Sequence, residues 1–191
     1  MKNARNTTHK LVFTALMAAL VFLLTLVYVP LGSSKVHFGN AASLLGAMLL
    51  GPWLGGAASG VGAFLFDLTH GYSFLEALVT FASKFLMAAV AGLIARTHRE
   101  EGPLLSRRAN LRLVLGSVAG GVTYIALYML KTYVKSRWIA GIPLDGTWAA
   151  MLAKLPATCI NNGFAAVITP VFYTVLRPAL EAAGVLRPLR E

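Results

Sequence analysis

Apolar residues occupy long unbroken stretches of this chain, and polar residues gather mainly at the ends of those stretches. The first stretch, Leu11 to Ser34, has no charged residue, and Pro30 predicts that its helix ends at about residue 29. A helix needs about 20 apolar residues to cross the roughly 30 Å hydrocarbon core of a bilayer. The stretch therefore predicts a transmembrane helix at about 11–29 rather than a signal peptide, whose apolar region is shorter.

The second stretch, Val36 to Phe66, is too long for a single span of ordinary length. It contains the sequence GPWLGG at 51–56, in which glycine and proline favour a turn. It therefore predicts two short helices, at about 39–50 and about 54–68, which form either two spans or a tight, partly buried hairpin.

Three further apolar stretches predict helices at about 75–95, 111–130 and 148–176. Together these elements predict an all-α integral membrane protein, a six-transmembrane-helix bundle formed as a single membrane domain over 1–191. The composition agrees, because 57% of the residues are hydrophobic and 13% are charged. Soluble domains contain about 25% charged residues.

Basic residues are distributed unevenly between the two sides that six spans would create. With both termini on one side, eleven lysines and arginines lie on that side and four on the other. Cytoplasmic loops carry the excess of Lys and Arg, so we expect cytoplasmic N- and C-termini and a multi-pass protein of a prokaryotic plasma membrane. Membrane topology thus explains the net charge of +10 without a nucleic acid as partner. The eleven are Lys2, Arg5, Lys10, Arg96, Arg99, Arg107, Arg108, Arg112, Arg177, Arg187 and Arg190, and the four are Lys35, Lys131, Lys135 and Arg137.

Several polar side chains fall within the outer halves of the predicted helices. Lys154, Thr158 and Asn161 are spaced at i, i+4 and i+7, which places them on one helix face. A charge near mid-bilayer costs at least about 2.5–3.5 kcal/mol, so Lys84 and Lys154 require a polar environment. The simplest one is a pocket that opens outward and binds a small molecule. The predicted ligand-binding residues are His37, Asn40, Asp67, Tyr72, Lys84, Tyr128, Lys154, Thr158, Asn161 and Asn162.

Other interpretations of the polar and aromatic residues stay open. An ion pair between Asp67 and Lys84, with hydrogen bonds between helices, is the alternative to a ligand pocket. Lys35, Lys131, Lys135 and Arg137 are predicted to be surface charges. Six aromatic residues either stack against a ligand ring or form an interfacial belt. They are Tyr72, Phe74, Tyr124, Tyr128, Trp138 and Trp148.

The motifs of common enzyme chemistries are absent from the sequence. It has no G-x-x-x-x-G-K-[ST] phosphate loop, no Cys/His metal spacing and a single cysteine, Cys159. We therefore expect no catalytic residues, no metal and no cofactor, although a membrane-embedded enzyme is one alternative. A stand-alone proton- or ion-coupled carrier is another, with Asp67, His70 and Lys84 as its relay.

The chain resembles the substrate-binding S component of energy-coupling factor (ECF) vitamin transporters in two segments. They are VHFGNAASLLGAMLLGPWLGGAASGVGAFLFDLTHGY at 36–72 and FASKFLMAAVAGLIA at 81–95. Within that family it is most similar to the riboflavin, pyridoxine and hydroxymethylpyrimidine group, and the resemblance covers 11–176. Asn40 stands where some members have an acidic residue, in the sequence HLGD, which leaves the charge of the ligand open.

The resemblance implies a function and a set of partners. Such a subunit captures a small water-soluble vitamin or precursor outside the cell. It delivers this cargo inward with a transmembrane T component and two ATPase subunits, as part of an ABC-type importer. The resemblance assigns Ala15 and Ala19 to docking on the T component, and the loop at about 30–38 to a lid over the bound vitamin.

Overall fold

The computed structural model describes residues 2–31, 34–97 and 106–190, with side chains from 6 to 189 within those ranges. Arg99 and the side chains of Lys2, Arg5 and Arg190, which the charge count above includes, lie outside the described part. The described elements are α1 (Lys2–Leu26), β1 (Tyr28–Leu31), β2 (Ser34–His37), α2 (Gly39–Thr69), α3 (Phe74–Ala95), α4 (Arg107–Val134), a π-helical turn (Lys135–Ile139), α5 (Leu144–Ala182) and α6 (Arg187–Arg190).

Five helices of the described chain are long and apolar enough to cross a membrane: α1, α2, α3, α4 with the π-helical turn, and α5. This finding agrees with the prediction of a mainly helical, multi-pass membrane protein. The described chain is not purely helical, however, because β1 and β2 pair as an antiparallel hairpin. In this hairpin Tyr28 lies opposite His37, and Leu31 lies opposite Ser34.

The hairpin corrects the prediction that the first helix runs to about residue 29, because α1 ends at Leu26. The ring of Pro30 clashes with a helical conformation at Val29, so the chain is extended there. Tyr28 and Val29 are also residue types that favour strands. Pro30 lies in a strand of a two-stranded sheet, where proline is tolerated.

α2 folds back on itself at Gly51. Gly51 has φ 82° and ψ 180°, a left-handed conformation that favours glycine, and Pro52 follows it. A Cβ atom on Gly55 would lie 2.5 Å from Cα of Ala47, although these residues would be about 12 Å apart in a straight helix. The limbs 39–50 and 52–69 therefore run in opposite directions in close contact, and the predicted turn is confirmed.

The last two long helices extend further than the sequence predicted. α4 with its π-helical turn reaches Ile139 rather than about residue 130. α5 runs from Leu144 to Ala182 rather than over about 148–176. The connection between them is correspondingly short.

α4 approaches α3 so closely that their backbones nearly touch. A Cβ atom on Gly116 would lie 2.6 Å from the carbonyl oxygen of Ala91, and one on Gly120 would lie 2.8 Å from that of Met87. Small residues permit such approaches between helices. This close approach brings the face of α4 that carries Tyr124 and Lys131 opposite the first half of α3.

The bundle has two distinct ends. One contains both ends of the described chain, since Nε2 of His9 lies 3.1 Å from the carbonyl oxygen of Val185 and α1 packs against α6. We call it the terminal end, and we call the opposite end, which carries β1 and β2, the hairpin end.

A buried polar cluster joins three elements at the terminal end. Arg177 is fully buried and donates hydrogen bonds to the carbonyl of Thr97 (3.2 Å) and the hydroxyl of Tyr173 (2.8 Å). Its guanidinium lies 3.9 Å from the carboxylate of Glu181. Thr97 donates in turn to the carbonyl of Met48, 3.0 Å away. The structure thus corrects the count of Arg177 among the charges of a cytoplasmic tail, because this residue lies inside the bundle.

Candidate ligand-binding site

A cavity of about 190 Å³ lies at the hairpin end, between the hairpin and all five long helices. Each helix contributes the part that is nearest to the hairpin, for example Thr25 at the end of α1 and Lys131 at the end of α4. Sites for drug-sized ligands typically enclose about 300–1,000 Å³. The cavity therefore accommodates a smaller molecule without rearrangement.

Eight of the ten predicted ligand-binding residues line this cavity, although they belong to separate elements of the chain. These eight are His37, Asp67, Tyr72, Lys84, Tyr128, Lys154, Thr158 and Asn161. The other two, Asn40 and Asn162, are buried behind the wall. The structure thus brings the predicted residues together, and their contact with a ligand stays a prediction.

Asn40 and Asn162 connect Lys84 to the backbone of α5. The ammonium of Lys84 donates a hydrogen bond to Oδ1 of Asn40. Nδ2 of Asn40 donates to Oδ1 of Asn162 (3.0 Å), and Nδ2 of Asn162 donates to the carbonyl of Thr158 (2.7 Å). Because these groups are buried, their hydrogen bonds fix the Lys84 ammonium at the cavity wall. In this arrangement the two asparagines position the Lys84 ammonium, and their own contact with a ligand stays a prediction.

Asn161 attaches the hairpin to α5. Its Oδ1 accepts a hydrogen bond from the amide of His37 (2.8 Å), and its Nδ2 donates one to the carbonyl of Lys35 (2.8 Å). These two hydrogen bonds to backbone groups of β2 are of the kind that a neighbouring strand would make, so the side-chain amide of Asn161 takes the place of such a strand. The side chain of Asn161 thus holds the hairpin against the cavity, where the sequence resemblance predicts a lid over about 30–38, of which residues 32–33 lie outside the described part.

His37 is held in its neutral form. Its Nδ1 accepts a hydrogen bond from the amide of Gly39 (3.1 Å), which requires that this nitrogen carries no proton. Burial, with the positive charges of Lys84 and Lys35 adding to it, lowers the pKa of His37 from 6.5 to about 3. At neutral pH this residue therefore contributes no charge to the cavity.

The six aromatic residues divide into two groups. Tyr72, Tyr124 and Tyr128 line the cavity. The rings of Tyr124 and Tyr128 stack with centroids 5.9 Å apart, and Nζ of Lys84 lies 4.4 Å from the Tyr124 centroid. Phe74, Trp138 and Trp148 are exposed on the outside of the helices, as an interfacial belt requires.

Lys35 projects from β2 into a cage of three aromatic rings. Its Nζ lies 4.4 Å from the ring centroid of Tyr28, 5.1 Å from that of Phe66 and 5.9 Å from that of Tyr72. These distances permit cation–π attraction. Burial and the nearby Asp67 carboxylate raise the pKa of Tyr72, so its hydroxyl stays protonated.

Three lysines that were predicted to be surface charges line the cavity: Lys35, Lys131 and Lys135. Lys35 and Lys131 are partly buried there, whereas the side chain of Lys135 is 55% exposed, so it is also a surface charge, as predicted. Lys131 donates to the hydroxyl of Thr80 (2.8 Å), and Lys135 pairs with Glu76. Arg137, by contrast, is exposed away from the cavity, as predicted.

One signal in the sequence indicates these lysines. Tyr124, Tyr128, Lys131 and Lys135 follow each other at spacings of four, three and four residues, which is the period of one helix face. The prediction that helix 5 ends at about residue 130 concealed that period.

Asp67 and His70 do not form the relay that a proton-coupled carrier would use. Asp67 is buried and lines the cavity, but within the described part of the chain it forms no ion pair, so the alternative of an Asp67–Lys84 pair is not formed. His70 lies outside the cavity lining, with its ring stacked on Phe66 at a centroid distance of 4.0 Å. Among the described residues, no group of three His, Cys, Asp or Glu side chains is arranged to hold a metal ion.

The predicted docking residues lie on the outer surface of α1. Ala15 and Ala19 are exposed, and Val12, Leu16 and Leu23 are exposed apolar neighbours on the same helix. An apolar face of this kind suits either lipid or a partner helix. The docking role stays a prediction.

Comparisons with known proteins agree with this architecture. Residues 5–178 match the family model described as "ECF-type riboflavin transporter, S component". A protein of Pyrococcus woesei, described as "Uncharacterized protein in gap 3'region", is 32% identical over 111 residues, which are 57% of this chain and 68% of that protein. A solved structure described as "Structure and mechanism of the S component of a bacterial ECF transporter" has a TM-score of 0.59 at 17% identity, and the match covers 92% of this chain and 99% of that one.

At that identity the structural match supports the fold alone. The family match spans most of the chain, and it confirms the resemblance that the two sequence segments predicted. The family is one of transporter components rather than enzymes. The chain belongs to the ECF-type riboflavin transporter S component family.

Proposed function

We propose that this chain is the substrate-binding subunit of an ECF-type importer, which captures a small water-soluble vitamin or precursor outside the cell. One observation carries the proposal: a mainly apolar bundle contains, at one end, a cavity lined by charged and polar side chains and partly covered by a short hairpin. Polar groups inside a membrane protein are costly and mark functional sites. Family membership supports the role of this cavity as the substrate site.

The test is to identify the molecule that copurifies with the protein. We expect mass spectrometry of the detergent-solubilised protein to detect a small water-soluble compound in near-stoichiometric amount. An unrelated membrane protein purified in the same way provides the control. Absence of any bound compound, together with no binding of riboflavin, pyridoxine or pantothenate, would contradict the proposal.

We further propose six membrane spans with both termini in the cytoplasm, with the two limbs of α2 counted separately. The contact between His9 and Val185 supports an even number of crossings, because it places both chain ends at one end of the bundle. In a Cys159→Ala background, a cysteine in place of the exposed Ala140 at the hairpin end should react with an impermeant maleimide added to intact cells. A cysteine at Val185 should react only after the membrane is permeabilised, and the reverse pattern would refute the orientation.

Energy for import comes, in this proposal, from a T component and two ATPase subunits. The exposed face of α1 supports Ala15 and Ala19 as the contact with the T component. Replacing both with Leu should abolish copurification of the T component and leave ligand binding unchanged. Val122→Phe, on the exposed surface of α4, is the matched control. Uptake by the chain alone in proteoliposomes, driven by a pH gradient, would favour a stand-alone carrier instead.

A further inference from the structure

The cavity contains more positive than negative side chains. Five lysines line it, against two carboxylates, and the lysines still outnumber the carboxylates if Lys84 is left out of the count. His37 is neutral and does not reduce the surplus. The lysines are Lys35, Lys84, Lys131, Lys135 and Lys154, and the carboxylates are those of Asp67 and Glu76.

The partners of these lysines are mostly neutral. Glu76 forms an ion pair with Lys135, so its negative charge is already balanced. Lys131 donates to a threonine hydroxyl, and Lys84 donates to the amide oxygen of Asn40. Lys154, which is half-buried, forms no hydrogen bond or ion pair through its ammonium within the described part of the chain. Among the described lysines of the cavity, Lys135 is the one in a salt bridge, and the single carboxylate of Asp67 acts on both Lys84 and Lys131. The cavity thus keeps a surplus of positive charge that its two carboxylates do not balance.

A partly buried charge that lacks a counter-charge destabilises the protein, and an anion from outside removes that cost. Carboxylate and phosphate groups carry several acceptor oxygens, which ammonium groups bind with strong, charge-assisted hydrogen bonds. On the basis of the proposed function, we infer that the substrate is a small organic anion whose carboxylate or phosphate binds between Lys84, Lys131 and Lys154.

The other walls of the cavity define the rest of the substrate. The stacked rings of Tyr124 and Tyr128 offer an apolar surface beside Lys84. The carboxylate of Asp67 accepts a hydrogen bond from a donor group of the substrate. The volume of about 190 Å³ suits a single ring or a short chain. The neutral ring system of riboflavin would leave the surplus positive charge of this cavity without a counter-charge.

Matched pairs of probes test the inference, because each pair differs mainly in charge. The pairs are pantothenate and panthenol, pyridoxine 5′-phosphate and pyridoxine, and riboflavin 5′-phosphate and riboflavin. Isothermal titration of the purified full chain gives the dissociation constant of each. We expect the anionic member of at least one of the first two pairs to bind tenfold or more tightly than its neutral counterpart. The pantothenate pair reports on carboxylate, and the other pairs report on phosphate.

Variants connect that preference to the cavity. Lys154→Met should reduce the preference for the anion at least fivefold, and Lys154→Arg, which keeps the charge, should retain most of it. Arg137→Met removes a positive charge at the same end of the bundle but outside the cavity, so it should have no effect. Lys131→Met provides a second test if Lys154→Met does not fold.

The outcomes separate this inference from the proposed function. Equal or tighter binding of the neutral members, or a copurified molecule without a negative charge, would overturn the inference and leave the transport function intact. A protein that carries no molecule and binds none of the six probes contradicts both. Retention of the anion preference in both Lys154→Met and Lys131→Met would also overturn the inferred position of the anion.

Discussion

The bundle buries polar groups at both of its ends: those at the hairpin end face an open cavity, whereas those around Arg177 bond to each other. At the terminal end, Arg177 has a carbonyl, a hydroxyl and a nearby carboxylate around its guanidinium. At the hairpin end, the ammonium of Lys154 and the carboxylate of Asp67 line a cavity instead. Burial of a charge therefore does not by itself indicate a binding site. The informative feature is a charge at a cavity wall, such as the half-buried Lys154 ammonium, that has no hydrogen bond or ion pair within the described part of the chain.

The two regions also differ in what their hydrogen bonds hold. The cluster around Arg177 joins the end of α3, the turn region of α2 and the last part of α5. The bonds of Asn161 hold a two-stranded hairpin whose first strand is exposed. We therefore expect substitutions at the terminal end to change global stability, and those at the hairpin end to change binding and local opening.

The largest effect should follow from Arg177→Met. The substitution removes the hydrogen bond donated to the buried hydroxyl of Tyr173 and one of the two donated to the carbonyl of Thr97, which still accepts from Tyr173. It also removes the guanidinium that lies 3.9 Å from the carboxylate of Glu181. Breaking a buried pair on one side costs about 3–5 kcal/mol. Thermal unfolding in detergent measures the loss, with exposed Arg108→Met as the control. Equal midpoints for the two variants would remove the distinction between the ends.

Lys154→Met should leave the stability of the ligand-free protein intact and weaken ligand binding, in contrast to Arg177→Met. Without ligand, its unfolding midpoint should equal or exceed that of the parent, because the variant loses a half-buried charge without a counter-charge. With the copurifying ligand, its stabilisation should fall by about 1.4 kcal/mol or more, which corresponds to a tenfold weaker affinity. A ligand-free protein that is destabilised as much as Arg177→Met would show that Lys154 is a structural residue.

A pH titration sharpens the contrast through His37. Its pKa in the folded protein, about 3, lies below the ordinary value of 6.5, so the opened hairpin binds more protons between these limits. Stability of the closed hairpin should be constant above pH 6.5 and should fall by about 1.4 kcal/mol per pH unit below it. Hydrogen exchange of 34–37 at pH 5 and pH 7.5 measures the change.

His37→Gln provides the control for that titration, since it keeps a hydrogen-bonding side chain without this protonation. The pH dependence of the protection factors in 34–37, which are the exchange rates corrected for the intrinsic rate at each pH, should disappear in this variant. Amides around Thr97 should stay protected at both pH values in either protein. Loss of protection at both ends together would mean that the hairpin does not open independently.

The smallest effect concerns Asn161→Ala. The two lost hydrogen bonds expose backbone groups of Lys35 and His37 that water can reach, so we expect a cost of about 1 kcal/mol. Hydrogen exchange in β2 should accelerate several-fold, and the global unfolding midpoint should change little. Cys159→Ala, an exposed neighbour on α5, should exchange like the parent.

Much of the helical architecture follows from the sequence because long apolar runs dominate it. The turn at Gly51 was predicted for the same reason, since glycine and proline interrupt such a run. The hairpin was missed because 27–31 are also apolar, and a short apolar segment does not distinguish a strand from the end of a helix.

The candidate site was predictable where one helix carries several of its residues. Lys154, Thr158 and Asn161 share a face of α5, and helix periodicity alone gives that arrangement. The pairing of Asn40 with Asn162 was not predictable, because it joins two helices that are far apart along the chain. Arg177 was misplaced for a related reason: its burial depends on Thr97 and Tyr173, which no local pattern connects to it.

The fold-back of α2 at Gly51 provides a place from which motion of the whole protein can be followed separately from motion of the hairpin. Its limbs touch backbone to backbone around Ala47 and Gly55, with no long side chains between them to change rotamer. We expect this part to behave as a rigid body while the hairpin end opens and closes. A fluorophore attached near Met48 would therefore report reorientation of the whole subunit in the bilayer, and one on β1 would report entry and exit of cargo.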